Sequence, residues 1–351
     1  MKEKKRLIAE FEEQSFTQII FPHADTDWTD YLEDAQNTFV SIINAIRKYQ
    51  KCLVVAYDTD AVKKYFSDTD NLEFVHCVTD DTWARDCSAL SVETANKTAL
   101  LDFSFNGWGN KFDAKMDNLM TQKIAHKYLP CKVEKIDFVL EGGAVESNGA
   151  GILLTTAACM LNKNRNPQFT AKEITKKLQE FFDAEQILYL HHGYLAGDDT
   201  DSHIDTLARF TDENTIMYVK CDDTNDEHYH ELKLMEEELQ HLAKTHDFKL
   251  VSLPMCDAIY FEKERLPATY ANFLFVNGAV LVPVYGVSQD KEALAIFKKT
   301  FPDRDVVAID CSVLIRQHGS LHCVTMNFCV SVQLFKNPNT LVGTEVPIPI
   351  K

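Results

Sequence analysis

The sequence lacks the spacings that mark several protein classes. None of its ten cysteines forms a C-x-x-C pair, which argues against a zinc ribbon or a thioredoxin-type site. No framework spacing for disulfides is present either. Several cysteines lie in apolar runs, such as Lys51–Ala56 and Phe74–Val78, where they serve as small hydrophobes. A reducing compartment is therefore expected. Positive charge is scarce. Lys plus Arg number 36 against 53 Asp plus Glu, a formal net charge of −17. Such a surface repels nucleic-acid phosphates and anionic membranes and favours cationic ligands. Met1–Glu13 carries charge and no apolar h-region, so no secretory signal is read there. The most apolar stretch, Phe273–Val287, is broken by Asn277, Gly278, Pro283 and Gly286, and reads as a hairpin rather than a membrane span. A soluble, cytoplasmic protein is the expectation. No Pro/Gly/Ser-rich linker or low-complexity tract divides the chain, and residues 1–351 read as one domain.

Short strands alternate with helices throughout. Helical apolar spacing covers Thr29–Tyr49, Asp113–Tyr128, Thr170–Phe182, Glu227–His246 and Lys291–Lys299. Hairpins are predicted at Ser88–Val92 with Ala99–Phe105, and around Asn148-Gly149. Further pairs are Asp205–Phe210 with Thr215–Lys220, and Tyr270–Val276 with Ala279–Val284. A last hairpin begins near His322. The order hairpin, helix, strand recurs roughly every 60–80 residues, which supports an α/β fold with internal pseudo-symmetry.

Four segments could carry chemistry. In Asp80-Asp81-Thr82-Trp83-Ala84-Arg85-Asp86, Asp86 could hold a cation with Trp83 as its wall; a solvated turn is the plainer reading. In Leu140-Glu141-Gly142-Gly143, two glycines after a strand allow close backbone approach to a ligand, although a glycine bulge has the same composition. Gly197–Asp205 crowds ionisable groups, and on a strand His203 and Asp205 would share a face. That spacing suits a general base beside a carboxylate, or two metal ligands. In Gln317–Thr325, Cys323 begins an apolar strand after a polar loop, where a reactive thiol would sit; a core thiol is the competing reading. His322 would face away from it. Carboxylates beside a thiolate raise its pKa, which makes sense if the substrate is itself a cation. A guanidinium pairs bidentately with carboxylates.

Together, Trp83-x-Arg85-Asp86, Glu141-Gly142-Gly143, Asp201-x-His203-x-Asp205-x-x-Ala208-Arg209-Phe210 and His322-Cys323, in this order, resemble the agmatine deiminase and Porphyromonas-type peptidylarginine deiminase family. Phe105–Lys111 and Asn162-x-x-Arg165-Asn166-Pro167 are similar to segments of the same family. The resemblance runs from about Ile20 to Phe328. It implies the pentein fold, an α/β-propeller of five ββαβ modules around a central site. It also implies Cys323 as nucleophile, His203 as general acid/base, Asp86 and Asp205 on the guanidinium nitrogens, and Glu141 near His203 and substrate. No metal or organic cofactor is expected, and the family's frequent homo-oligomers extend to this chain as an expectation. The net charge leans towards the dication agmatine, giving N-carbamoylputrescine. Trp83 and Trp108 are candidates for the wall along the alkyl chain. Asp80, Asp198 and Asp199 are candidates for the distal ammonium. The other readings are a peptidylarginine or free-arginine deiminase, a metal-dependent hydrolase using His203, Asp205, Asp199 and His318, and a non-catalytic pentein. Two positions depart from the family pattern. His318-Gly319-Ser320-Leu321 stands where a Gly-rich loop with Asn is usual, and Ser202 stands where Gly is usual. Both bear on substrate identity more than on chemistry.

Overall fold

The computed structural model describes residues 5–94, 97–129 and 131–334. Five small sheets repeat one plan: an antiparallel strand pair, a helix, and a strand that returns parallel to the second of the pair. Four units follow the chain. Leu90–Thr94 and Thr98–Ser104 lead through the helix Asp117–Lys123 to Lys132–Val139. Glu146–Ser147 and Ile152–Thr156 lead through Ala171–Phe182 to Gln186–Leu190. Ala208–Asp212 and Thr215–Lys220 lead through Tyr229–His246 to Lys249–Pro254. Leu274–Val276 and Ala279–Val284 lead through Asp290–Thr300 to Asp305–Asp310. The remaining unit joins the two ends of the described chain. Thr325–Cys329 pairs antiparallel with Gln14–Ile20, which continues through Leu32–Ile46 to the parallel strand Lys51–Ala56.

Local sequence explains the repeat. In Ala171–Phe182, Thr170 and Glu173 cap each other's backbone N–H groups, and Asp183 ends the helix in the left-handed region. Ile174, Leu178 and Phe182 recur every fourth residue on its buried face. The central strands are covered on both faces, so residues 279–282 of Ala279–Val284 read as an unbroken buried apolar run.

Four expectations change. The helix predicted over Asp113–Tyr128 is confined to Asp117–Lys123, followed by a 3₁₀ turn at Ala125–Lys127. Tyr128 instead leaves the helix to be buried, its hydroxyl donating to Gln18 Oε1 at 2.5 Å. Ile204–Thr206 is a 3₁₀ turn, and its strand begins only at Ala208. Strand pairing before Asn277-Gly278 is limited to Leu274–Val276. Among the described residues no hairpin starts near His322. Thr325–Cys329 finds its partner at the far end of the described chain, and Gln333–Leu334 pairs with Tyr128–Leu129.

Aromatic stacking secures that closure. The Phe328 ring lies 4.5 Å from Phe16 and 5.1 Å from Tyr128, and Phe16 and Phe328 are fully buried. Removing the Phe328 ring leaves a cavity inside a stack that cannot collapse without parting two strands. Phe328→Ala is expected to destabilise the fold by about 3–5 kcal/mol, read as the shift in a denaturant unfolding curve.

Candidate active site

Each unit carries a turn just ahead of its first strand, and the five turns meet. Asp86 precedes Leu90, Gly143 precedes Glu146, Asp205 precedes Ala208, Asn272 precedes Leu274 and Cys323 precedes Thr325. Hydrogen bonds stitch neighbouring turns together. Arg85 N–H donates to the Cys323 carbonyl (3.1 Å), and Gly143 N–H to Asp86 Oδ1 (3.0 Å). Asn272 Nδ2 donates to the Asp205 carbonyl (3.4 Å), and His322 N–H to Asn272 Oδ1 (2.9 Å). Thr156 Oγ1 donates to the Ser202 carbonyl at 2.7 Å. Ser202 sits at φ +66, a conformation that favours glycine, which accounts for the usual residue at that position.

Gly143 lies among the charged groups. A Cβ there would fall 2.7 Å from His203 Nδ1, 2.9 Å from Asp86 Oδ1 and 3.0 Å from Asp205 Oδ2. His203 and Asp205 are thus brought together on a tight turn, not on one face of a strand. Gly142 is held as closely, since its Cβ would meet the Arg85 carbonyl at 2.2 Å.

Asp86 is buried on the short helix Ala84–Cys87 and accepts from Trp108 Nε1 through Oδ2 at 2.9 Å. Trp108 adopts φ 53 between two positive-φ glycines, a conformation costing roughly 1–2 kcal/mol in a residue with a Cβ. Burial pushes the Asp86 carboxyl up; His203 opposes that, and Asp205 adds to it. Asp205 goes the other way. Burial disfavours its charge, but the hydrogen bond and charge of His322, with His203 and Arg209, hold it below the usual carboxylate range. Its Oδ2 accepts from His322 Nδ1 at 2.7 Å, while its buried Oδ1 has no hydrogen-bond partner.

Both ring nitrogens of His203 are buried without a hydrogen bond, and Nδ1 stands 3.6 Å from Asp86 Oδ1. Burial favours neutral imidazole, but Asp86 first, with Cys159 and Glu141 close by, outweighs it and raises His203 to about 10. Glu141 is spanned by Arg165 Nε at 2.9 and 3.0 Å, and Arg165 Nη1 reaches on to Asp201 at 2.7 Å. Cys323 lies in the turn Leu321–Val324, two residues short of the strand expected to contain it. Its Sγ is 3.4 Å from Asn272 Oδ1. Burial, then Asp205 and Asp86, raise the thiol well above its ordinary value.

A cavity of about 150 Å³ opens onto Cys323. Its walls include Trp83, Trp108, Phe112, Thr200, Gln317, His318 and Gly319, with the carboxylates Asp27, Asp81, Asp86 and Asp199. The Trp83 ring lies against Gly319, where a Cβ would come within 2.1 Å of it. His203, Asp205 and Glu141 adjoin Asp86 rather than line this wall. Asp80 and Asp198 do not line it either. Asp80 Oδ2 accepts from Met116 N–H (2.6 Å), and Asp198 holds its own loop through Thr200 and Ser202. Asp199 does line it. Sequence reasoning passed over Asp27, Asp81, Phe112 and Cys159. Asp81, raised to about 7 by burial and by Asp27, accepts from Trp83 Nε1 and sits in the acidic run already singled out, where its place two residues before Trp83 was the available signal. Cys159 carried no signal among ten cysteines.

Glu141, Cys159 and His203 offer atoms within 4.8 Å of one another, the one such cluster among the described residues. A cation there would face the Arg165 guanidinium that already spans Glu141. The set His203, Asp205, Asp199 and His318 does not assemble, because Asp205 bonds His322 and His318 Nδ1 bonds the Gly197 carbonyl at 2.6 Å.

A family model for Porphyromonas-type peptidyl-arginine deiminases matches residues 6–328, and the chain belongs to that family. A cysteine-to-serine variant of C. jejuni agmatine deiminase with substrate bound is 39% identical, over 93% of this chain and 96% of its own, with a TM-score of 0.89. A Porphyromonas gingivalis protein provisionally assigned as an arginine deiminase is 43% identical over 94% and 100% of the two chains, with a TM-score of 0.90. Pseudomonas aeruginosa agmatine deiminase is 28% identical over 91% of this chain and 94% of its own. The five-unit ring is a pentein.

Because three polar atoms crowd the missing Cβ of Gly143, Gly143→Ala should lower turnover by about 100-fold through misplacement of the charged groups. The assay is kcat/KM beside a far-ultraviolet spectrum. Full activity in a folded variant would show that these groups have room to move.

Proposed function

We propose that the chain is an agmatine deiminase, releasing ammonia from the guanidinium of agmatine to leave N-carbamoylputrescine. The observation that carries this is the cavity wall: four carboxylates, three aromatic rings and Cys323, with no lysine or arginine among its lining residues. A guanidinium at one end and an ammonium at the other suit such a wall. The α-carboxylate of free arginine would meet carboxylates and no fixed cation. The rings of Trp83, Trp108 and Phe112 suit the apolar chain between the two charges.

In this reading Asp86 and the free Oδ1 of Asp205 receive the guanidinium N–H groups. The bound cation offsets the carboxylates' effect on Cys323 and favours its thiolate. The thiolate attacks the guanidinium carbon, and the C–N bond to one terminal nitrogen breaks as His203 delivers a proton to it. Ammonia leaves and a thiouronium remains. His203, now neutral, takes a proton from water as its oxygen attacks the same carbon. The C–S bond breaks, releasing the thiolate and the ureido product, whose O–H proton passes through solvent to the released ammonia. Cys323 is assigned as nucleophile over Cys159 because Cys323 lines the cavity, whereas Cys159 is fully buried behind His203. Glu141, held by Arg165, keeps a negative field on His203 and so favours its protonated, acid form. The scheme calls for no cofactor.

The same proposal takes residues 1–351 as one catalytic domain, supported by a buried core from Leu7 to Leu334. It places the protein in the cytoplasm, supported by ten unpaired cysteines. Among the described residues no helix is long and apolar enough to cross a membrane.

Colorimetric assay of ureido product should show turnover of agmatine, little with free or blocked arginine, and none in Cys323→Ser. Preference for blocked arginine would move the protein to the peptidyl branch. The raised thiol also fixes a sign: the unliganded protein holds little thiolate at neutral pH, and the fraction grows as pH rises. Inactivation by iodoacetamide should therefore keep accelerating beyond about pH 9. A plateau near neutrality would contradict substrate-assisted ionisation.

A further inference from the structure

We propose that Glu10 is a positioning residue for this site: acting through His322, it holds Asp205 ionised and oriented for the guanidinium. The inference rests on the function proposed above. Glu10 lies between the strands Lys5–Leu7 and Gln14–Ile20, far in sequence from every motif of the site. Its side chain reaches beneath the turn that carries Cys323. Oε1 accepts from Phe275 N–H at 3.0 Å. Oε2 accepts from Arg209 Nη2 at 2.9 Å, faces Arg85 Nη2 at 3.2 Å, and accepts from His322 Nε2.

His322 therefore stands between two carboxylates, with Nδ1 on Asp205 Oδ2 at 2.7 Å and Nε2 on Glu10. A neutral imidazole has a single N–H and can donate to one of them. Donation to both requires the imidazolium. Fixed at both ends, this cation sets the plane of the Asp205 carboxylate and leaves Oδ1, buried and unpartnered, as the acceptor the substrate completes. His322, His203, Arg209, Asp86 and Cys323 act on Asp205. His322, Arg209, Arg85 and Glu146 act on Glu10. Asp205, Glu10 and Glu146 all act on His322, and of these Asp205 and Glu10 hydrogen-bond its ring. Without the Glu10 charge, His322 keeps one charged acceptor, its hold on the Asp205 carboxylate weakens, and His203 and Arg209 are left to oppose the burial of Asp205.

The test compares Glu10→Gln with the unmodified protein, using agmatine across about pH 5 to 9. Loss of a charge-assisted contact at one remove should raise KM about tenfold at neutral pH, with kcat changing much less. The acid limb of kcat/KM should move to higher pH, because Asp205 is then protonated at higher pH. A uniform fall in kcat with KM and pH profile unchanged would mean that Glu10 only supports the fold, and would overturn the proposal. A second measurement needs no variant. Imidazole ¹⁵N spectra of the unmodified protein, with His322 assigned, should show both His322 nitrogens protonated at neutral pH. A neutral His322 would overturn the proposal even if Glu10→Gln failed to fold. If the unmodified protein did not turn over agmatine, the functional reading would fall, while the spectrum would still report on the His322 bridge.

Discussion

An absent side chain governs the geometry at the centre of this protein. Asp86, Asp205 and His203 all crowd the point where Gly143 would carry a Cβ. Three ionisable groups can share so small a volume only if nothing apolar separates them and if their charges are of both signs. The backbone at Gly143 contributes as well, since its N–H holds Asp86 Oδ1. The surrounding turns are arranged to respect this. Gly142 lets the chain pass against the Arg85 carbonyl, and Arg165 anchors Glu141 so that its charge stays near His203. Asp86, Gly143 and Asp205 belong to different units of the ring, so the centre exists only when the units are docked.

Burial does not treat the carboxylates alike. Asp205 has a His322 ring nitrogen on one oxygen and is held below the usual carboxylate range, whereas Asp86 has a tryptophan N–H and a backbone N–H and is pushed above it. Environments that drive two like groups apart often assign them different tasks. In the proposed mechanism a guanidinium entering beside Asp86 supplies positive charge, and the same charge stabilises the thiolate of Cys323.

Much of this was legible in the chain. Trp83-x-Arg85-Asp86, Glu141-Gly142-Gly143, His203 and Asp205, and His322-Cys323 mark four of the five central turns, because each combines unusual polar residues with a strand end. The fifth turn escaped notice, since Asn272 lies in an otherwise apolar stretch. Local periodicity misjudged the regions where tertiary contacts decide. Tyr128 leaves a helical pattern to be buried beside Phe16 and Phe328. Asp80 and Asp198 resemble cavity residues in sequence, yet their oxygens are consumed by nearby backbone N–H groups. Short acidic runs do not reveal which carboxylate closes a turn and which is left for a ligand. Glu10 was invisible for a different reason: Arg85, Arg209, Phe275 and His322 are all remote from it in the chain, and no spacing rule reaches that far.

The pairing of Thr325–Cys329 with Gln14–Ile20 carries a consequence for how the protein is made. Gln14–Ile20 is translated before the other four units of the ring, and Thr325–Cys329 after them. Contacts of such long sequence separation are slow to form. While the other four units are made, the carboxylates and His203 are already present, but Cys323, the proposed nucleophile, is not. In the proposed mechanism, reactivity towards guanidines is therefore withheld until all five units of the ring have been translated, and ring closure doubles as a check that each is present.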